Sequence, residues 1–220
     1  MHKIITKDSS CTFYNEEYME TYHSVSGALE ESFKKYVEPC RIKELARTGS
    51  ISILDICFGF GYNSITAISV ALQENPNCTI TITALEKDAN ILEELQNITL
   101  PSELEQYYTQ LKEQLKNKKR NITVGTVTIK LLVGDATKTI KIIAQKCDVV
   151  FLDPFSPKKN PELWTADFFI EVKKRMHMHA RLATYSCARV VRDNLRSAGF
   201  IVKDGPIVGR RAPATIAFLE

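Results

Sequence analysis

A short apolar run that ends in two closely spaced glycines and hands over to a helical pattern constrains this chain more than any other feature. Ile51, Ile53, Leu54 and Ile56 form a stretch of the kind a buried parallel strand shows. Gly59 and Gly61 follow at once. Ile65, Ile68 and Leu72 then recur at helical spacing, with Ala67 and Ala71 beside them and Asn63 placed to cap the helix. Strand, glycine turn and helix start in that order form a cradle for a nucleotide-type ligand, because glycine lets the backbone approach where a Cβ would clash. The turn alone leaves the ligand open. A dinucleotide site would want a third glycine where this chain has Ser64, and a tight turn without any ligand satisfies the same spacing.

With 220 residues the chain is long enough for one sizeable α/β domain. It has no run of about 18 apolar residues, so no transmembrane helix is expected, and its first eight residues lack the apolar core of a signal peptide. Six cysteines are scattered without a Cys-x-x-Cys pair. Free buried thiols in a reducing, cytoplasmic setting are expected, rather than a disulfide framework or a zinc site. The net charge of +3 hides an asymmetry: residues 1–110 hold 8 Lys+Arg against 16 Asp+Glu, and residues 111–220 hold 21 against 10. The basic second half would attract a polyanion such as RNA if its clusters share a face, while solvated helix faces account for most of them one by one.

In chain order, residues 1–48 read as an N-terminal cap of the same domain, with an amphipathic helix from about Gly27 to Glu38 that Pro39 ends. His23, just before it, reads as a packing or helix-entry residue rather than a ligand contact. Residues 49–220 form the main domain. Cys78 to Leu85 alternates as a strand and ends at Glu86, whose two acceptor oxygens match a ribose cis-diol, or which starts the next helix as a favourable acid. Residues 99–125 are polar, helix-prone and basic, and read as an insertion. Val127 to Val133 leads to Asp135 and Ala136, where Asp135 suits an adenine amino group equally with a helix N-cap. Asp148 to Leu152 then delivers Asp153-Pro154-Phe155-Ser156-Pro157-Lys158-Lys159-Asn160-Pro161, a carboxylate on a proline-stiffened loop at the ligand-binding edge of the sheet. Helices are expected over 163–175 and 186–195. A strand is expected at 180–185, and 200–203 with 214–219 should make a terminal antiparallel pair.

Asp55, four residues before Gly59, completes Asp-x-x-x-Gly-x-Gly, which resembles the opening motif of S-adenosylmethionine-dependent methyltransferases. The resemblance sharpens at Tyr22-His23-Ser24, Leu85-Glu86-Lys87-Asp88, the block from Phe151 to Trp164, Leu182-Ala183-Thr184-Tyr185-Ser186 and Ala198-Gly199-Phe200, which look like the methyltransferase half of MnmC and its stand-alone relatives. It runs from about residue 12 onward. It implies a Rossmann-like class I α/β fold, a seven-stranded mixed sheet with a terminal antiparallel hairpin and an N-terminal helical cap. It also implies S-adenosyl-L-methionine as cofactor, held by Asp55, Gly59, Gly61, Asn63, Glu86, Lys87, Asp135, Ala136 and Asp153.

That family methylates the primary amine of 5-aminomethyl-2-thiouridine at the tRNA wobble position, so the resemblance implies tRNA as partner. Asp153 is then the residue expected to accept or share the amine's proton. Pro154, Phe155, Trp164 and Tyr185 are expected to shape or stack on the base, and Lys158, Lys159, Arg210 and Arg211 to meet phosphates. No metal is expected, because a sulfonium methyl is already activated, and no flavin, because the oxidase part of the bifunctional members would follow the last residue given. Three departures stand out: Phe60 in the cofactor turn, His177-Met178-His179-Ala180 in place of Pro-Gly-Gly, and Pro206-Ile207-Val208-Gly209-Arg210-Arg211, which keeps a basic pair but loses a glycine. Competing readings are methylation of another RNA or DNA base amine or of a small amine, and a noncatalytic RNA-binding module. The basic second half argues against a polyamine.

Overall fold

The computed structural model describes residues 2–8, 10–23, 27–98, 100–117, 119–209 and 211–219, without the side chains of residues 92 and 103. The chain opens with β1 (His2–Ile5), β2 (Cys11–Asn15) and β3 (Glu20–Thr21), a small antiparallel sheet in that order. The N-terminal cap is therefore a sheet followed by helices, where the sequence showed only the helical part. Its strands escape a periodicity reading because β2 buries Cys11, Thr12 and Phe13 consecutively, so no alternation marks it. α1 (Ala28–Glu31) continues as a π-helix over Ser32–Val37, and α2 (Ile42–Ala46) follows.

The main body runs β4 (Ser50–Ile56), α3 (Tyr62–Glu74), β5 (Thr79–Glu86), α4 (Ile91–Glu94), α5 (Ser102–Lys116), β6 (Asn121–Val124), β7 (Val127–Val133), α6 (Ala136–Thr139), β8 (Cys147–Leu152), α7 (Ala166–Lys174), β9 (Met176–Thr184), α8 (Arg189–Ser197), β10 (Ile201–Asp204) and β11 (Thr215–Phe218). Its strands form one sheet ordered β10-β11-β9-β8-β4-β5-β7-β6. β4, β5, β7, β8 and β9 are mutually parallel; β11 and β10 close one edge antiparallel, and β6 the other. The strand order reverses beside β4, and such a switch point opens a crevice at the carboxyl ends. β6 is an eighth strand beyond the expected seven. It turns back through Gly125, whose φ of 58° suits a tight hairpin, and comes with α5 from the 99–125 stretch that reads as an insertion.

Alternation along β4 explains why both faces are covered. Ile51 and Ile53 pack into the cluster that holds α3, α5 and the N-terminal elements, and Leu54 and Ile56 into the one under α6 to α8. β9 starts four residues before the expected 180, so the His177-Met178-His179 segment is strand rather than turn. A register irregularity opposite Cys147–Val149 and a φ of 69° at His179 absorb the missing glycines. Asn63 does not cap α3: Gly61, at φ 74°, occupies the cap position and Asn63 lies inside the first turn. Gly199, at φ 86°, follows α8 as expected of a helix stop. All six cysteines are free thiols, and among the described residues no helix is long and apolar enough to cross a membrane.

Candidate active site

A cavity of about 980 Å³ opens at the carboxyl ends of β4, β5, β7 and β8, where the switch point puts it. Its floor comes from Cys57, Gly59, Glu86, Asp135, Ala136 and Asp153. The cover comes from the N-terminal sheet and α1, through Tyr18, Tyr22, His23 and Glu31. Among the described residues, eight carboxylate side chains line it, Glu31, Glu86, Asp135 and Asp153 among them, against two lysines, Lys35 and Lys87. The lining is therefore acidic, whatever the charge of the outer surface.

Asp153 stands just past the end of β8 with both oxygens engaged. Its Oδ1 accepts from the Tyr36 hydroxyl, and its Oδ2 from Asn63 Nδ2 at 2.9 Å. Burial pushes its pKa up to about 6, and the nearby Glu31 carboxylate adds to this, while the Tyr36 and Asn63 hydrogen bonds and the Lys35 ammonium hold it down. The result is a carboxylate that is mostly ionised near neutral pH yet more basic than a solvated one. The loop carrying it is fixed from three sides. Tyr185 donates its hydroxyl to the Pro154 carbonyl at 3.0 Å, Trp164 donates Nε1–H to the Phe155 carbonyl at 2.9 Å, and Glu20 of β3 accepts from the Ser156 amide at 3.0 Å.

On the side expected to take the cofactor, Glu86 accepts from the Gly59 and Asp88 amides, each at 2.8 Å. Those bonds aim the carboxylate across the glycine turn, and burial, the main cause, raises its pKa. Gly59 (φ 54°) lines the cavity, and a Cβ there would meet nothing nearer than the Tyr22 ring at 3.7 Å. Asp135 caps α6 by accepting from the Thr137 amide at 2.9 Å, as one of the two sequence readings had it, and it also lines the cavity beside Ala136. Lys87 lines the cavity and donates to the Tyr18 hydroxyl at 3.3 Å.

Asp55, Gly61 and Asn63 do not line the cavity; they build it from behind. Asp55 is wholly buried beneath the turn and accepts from Ser64 Oγ at 2.6 Å; burial lifts its pKa to about 8. Gly61 is needed because a Cβ would sit 2.6 Å from the Phe58 ring. Asn63 reaches the site only through Asp153. Phe60 points away from the cavity. It is 0% exposed, stacked on Phe13 with centroids 4.7 Å apart and met edge-on by Tyr22, and it fastens the N-terminal sheet to the glycine turn. The bulky residue in the turn thus belongs to the core.

Of the residues expected at the substrate, Pro154, Phe155 and Tyr185 line the cavity, and Phe155 stacks on Tyr18 with centroids 4.4 Å apart. Trp164 does not line it. It is 2% exposed, edge-on to Tyr185, with its carbonyl bonded by Asn194, and it serves as a prop under the Asp153 loop instead of a stacking platform. Lys158 and Arg211 are exposed and Lys159 is half-buried, all outside the lining; Gly209 brings the β10–β11 loop to the rim. Arg210 lies outside the described residues, as do residues 24–26. Sequence reading missed Tyr18, Glu20, Glu31, Lys35 and Tyr36. Tyr36 falls on the apolar face of the helix expected over 27–38, and the four-residue spacing of Glu31 and Lys35 is that of an ordinary surface pair. Only burial sets them apart.

The residues present suit S-adenosyl-L-methionine. The volume is at the upper end for small-molecule sites, Gly59 leaves the backbone open, and the Glu86 oxygens face the cavity at the strand end where a ribose diol would bind.

Comparison with known proteins agrees. The sequence model of a family described as S-adenosyl-L-methionine-dependent methyltransferase matches residues 99–220. The crystal structure of MNMC2 from Aquifex aeolicus superposes with a TM-score of 0.89 at 36% identity, covering 100% of this chain and 70% of that one. An uncharacterized protein of Methanocaldococcus jannaschii is 35% identical over 97% of this chain and 58% of its own length. The tRNA 5-methylaminomethyl-2-thiouridine biosynthesis bifunctional protein MnmC of Leptospira interrogans is 26% identical over 99% of this chain and 36% of its own. The chain thus spans just over half of the first of these two curated relatives and about a third of the second.

Proposed function

The chain belongs to the S-adenosyl-L-methionine-dependent methyltransferases of the MnmC type, and from that premise we propose that it methylates the primary amine of 5-aminomethyl-(2-thio)uridine at the wobble position of tRNA. One observation carries the reading: a carboxylate with raised pKa, oriented by Tyr36 and Asn63, stands on the Asp-Pro-Phe loop at an acidic cavity. The relatives named for tRNA modification support the substrate class.

The bound cofactor supplies a methyl group on a sulfonium, which needs no further activation. Gly59, Glu86, Asp135 and Ala136 would hold it. The chain's remaining task concerns the acceptor nitrogen, which at neutral pH is an ammonium with a pKa of about 10 and has no free lone pair. Asp153 hydrogen-bonds that nitrogen and takes up its proton as the lone pair engages; a pKa near 6 lies closer to the amine's than a solvated aspartate's would. Tyr36 and Asn63 fix the two oxygens, so the nitrogen is presented in one orientation. The Tyr18–Phe155 stack and the Glu20–Ser156 contact close the cover and exclude water.

The test is mass spectrometry of tRNA incubated with the protein and methyl-labelled cofactor. A labelled methyl on the wobble aminomethyl group is expected, and no incorporation into tRNA bearing the free amine sinks the proposal. The acidic lining favours one second reading, a small cationic amine as acceptor, against the expectation drawn from the basic second half. Labelled transfer to spermidine but not to tRNA would establish it.

A further inference from the structure

The helix that carries Tyr36 also carries an ion pair that Asp153 chemistry does not require. Lys35 is 4% exposed, its ammonium is bonded to Glu31, and both side chains line the cavity together with Asp153. A lysine is rarely so buried unless it is paired. The backbone is unusual there as well. Over Ser32–Val37 the helix widens, and the Glu38 amide bonds the Phe33 carbonyl, five residues back, at 2.9 Å. In a regular helix, consecutive residues diverge by about 100°. Here Lys35 and Tyr36 both reach the same site, and π-turns of this kind recur at functional positions.

Charge gives the pair a purpose. On this wall of the cavity two carboxylate side chains, Glu31 and Asp153, stand beside one ammonium, that of Lys35. The Glu31 carboxylate is close enough to Asp153 to help raise its pKa.

Resting on the amine-methylating reading above, we propose that Glu31 selects the acceptor: the cavity receives a primary alkylamine as its ammonium, between Glu31 and Asp153, and Lys35 stands in for that ammonium on Glu31 while the acceptor is absent. Binding exchanges ion-pair partners and makes no covalent bond. The proton that leaves the nitrogen afterwards goes to Asp153. A neutral isostere, carrying a hydroxyl in place of the amine, cannot displace Lys35 and is rejected.

Two readouts test this on wild type, Glu31→Gln, Glu31→Asp and Lys35→Met. In kinetics with tRNA bearing the aminomethyl group, Glu31→Gln should raise KM about tenfold or more, as loss of a charged hydrogen bond would. The effect should be concentrated in KM, with Glu31→Asp partly restoring it. Lys35→Met, which removes the internal competitor, should lower KM. In the second readout, n-propylammonium chloride is compared with n-propanol plus sodium chloride on protein saturated with S-adenosylhomocysteine. The ammonium should raise the thermal midpoint of wild type and not of Glu31→Gln. An unchanged KM in Glu31→Gln, or a raised KM in Lys35→Met, overturns the proposal while the tRNA reading stands. If wild type leaves the tRNA unmethylated, the tRNA reading falls. The propylammonium arm then decides: a shift that depends on Glu31 upholds the subsite, and its absence overturns it.

Discussion

At the scale of single residues, two aspartates with raised pKa values, Asp55 and Asp153, do different work. For both, the native state holds the proton more tightly than the unfolded chain, so each contributes stability that is full below about pH 4 and lost as pH rises through the folded pKa. For Asp55 that loss extends to about pH 8, and with no contact to the cavity its carboxylate is a structural group. Urea unfolding across pH 5 to 9 should show wild type losing stability over this window, with Asp55→Asn flattening the slope. In the proposed mechanism Asp153 must be ionised to act, so methyl transfer should rise through about pH 6. Tyr36→Phe removes a hydrogen bond that holds this pKa down, and the acid limb should move to higher pH while cofactor affinity is kept. An acid limb unmoved in Tyr36→Phe would separate that limb from Asp153. The glycines divide similarly. Both have left-handed backbones, so alanine at either should lower stability by about 1–2 kcal/mol; Gly61→Ala should lose more through the Phe58 clash, whereas Gly59→Ala should in addition weaken cofactor binding, read by calorimetry.

At the scale of elements, the β2–β3 segment acts as a strap over the cavity. Tyr18 bridges both of its walls, stacking on Phe155 beyond β8 and accepting from Lys87 beyond β5, while Glu20 grips Ser156. Tyr18→Ala forfeits an aromatic pair worth about 0.5–1.5 kcal/mol. Stability should change by about that much, and stopped-flow measurement should show cofactor leaving faster. The prop beneath the same loop is Trp164, clamped by Asn194 of α8. Truncating it to alanine should cost about 3–5 kcal/mol, as for other large core side chains, and should blunt catalysis only by loosening Asp153. Elements of this kind leave weak traces in sequence. β6 adds four residues to a sheet edge, and the strap's strands are too short, or too buried on both faces, for a period to emerge.

At the scale of the whole molecule, opposite charges are sorted by depth. The cavity is acidic, and the lysines and arginines of the second half lie mostly outside it, with Lys158 and Arg211 exposed. Such sorting suits the proposed substrate, a cationic reacting group carried on a polyanion: the exterior would attract phosphates and the interior would receive the amine. Replacing Lys158 and Lys159 by glutamate should weaken tRNA binding and reduce the slope of log affinity against log salt by about 1 for each phosphate that is no longer neutralised. Cofactor affinity should stay unchanged by titration, and an unaltered salt slope would remove these lysines from the RNA surface.

What the sequence determined by itself follows from local rules. The apolar run into Gly59 and Gly61, the acids that end β5 and β8, and the antiparallel pair at the end of the chain are each dictated by neighbours within a few residues, so the opening turn, the terminal pair and the places of Glu86 and Asp153 at strand ends could be read directly. Tertiary structure decided whatever depends on distant partners. Phe60 is harmless in the turn only because Phe13 receives it, and Trp164 is a prop only because the loop folds over it. The 31–35 pair became part of the site only because a widened helix turns it inward. A side chain's type fixes what it can bond. Burial and the partners brought to it from far along the chain fix what it does.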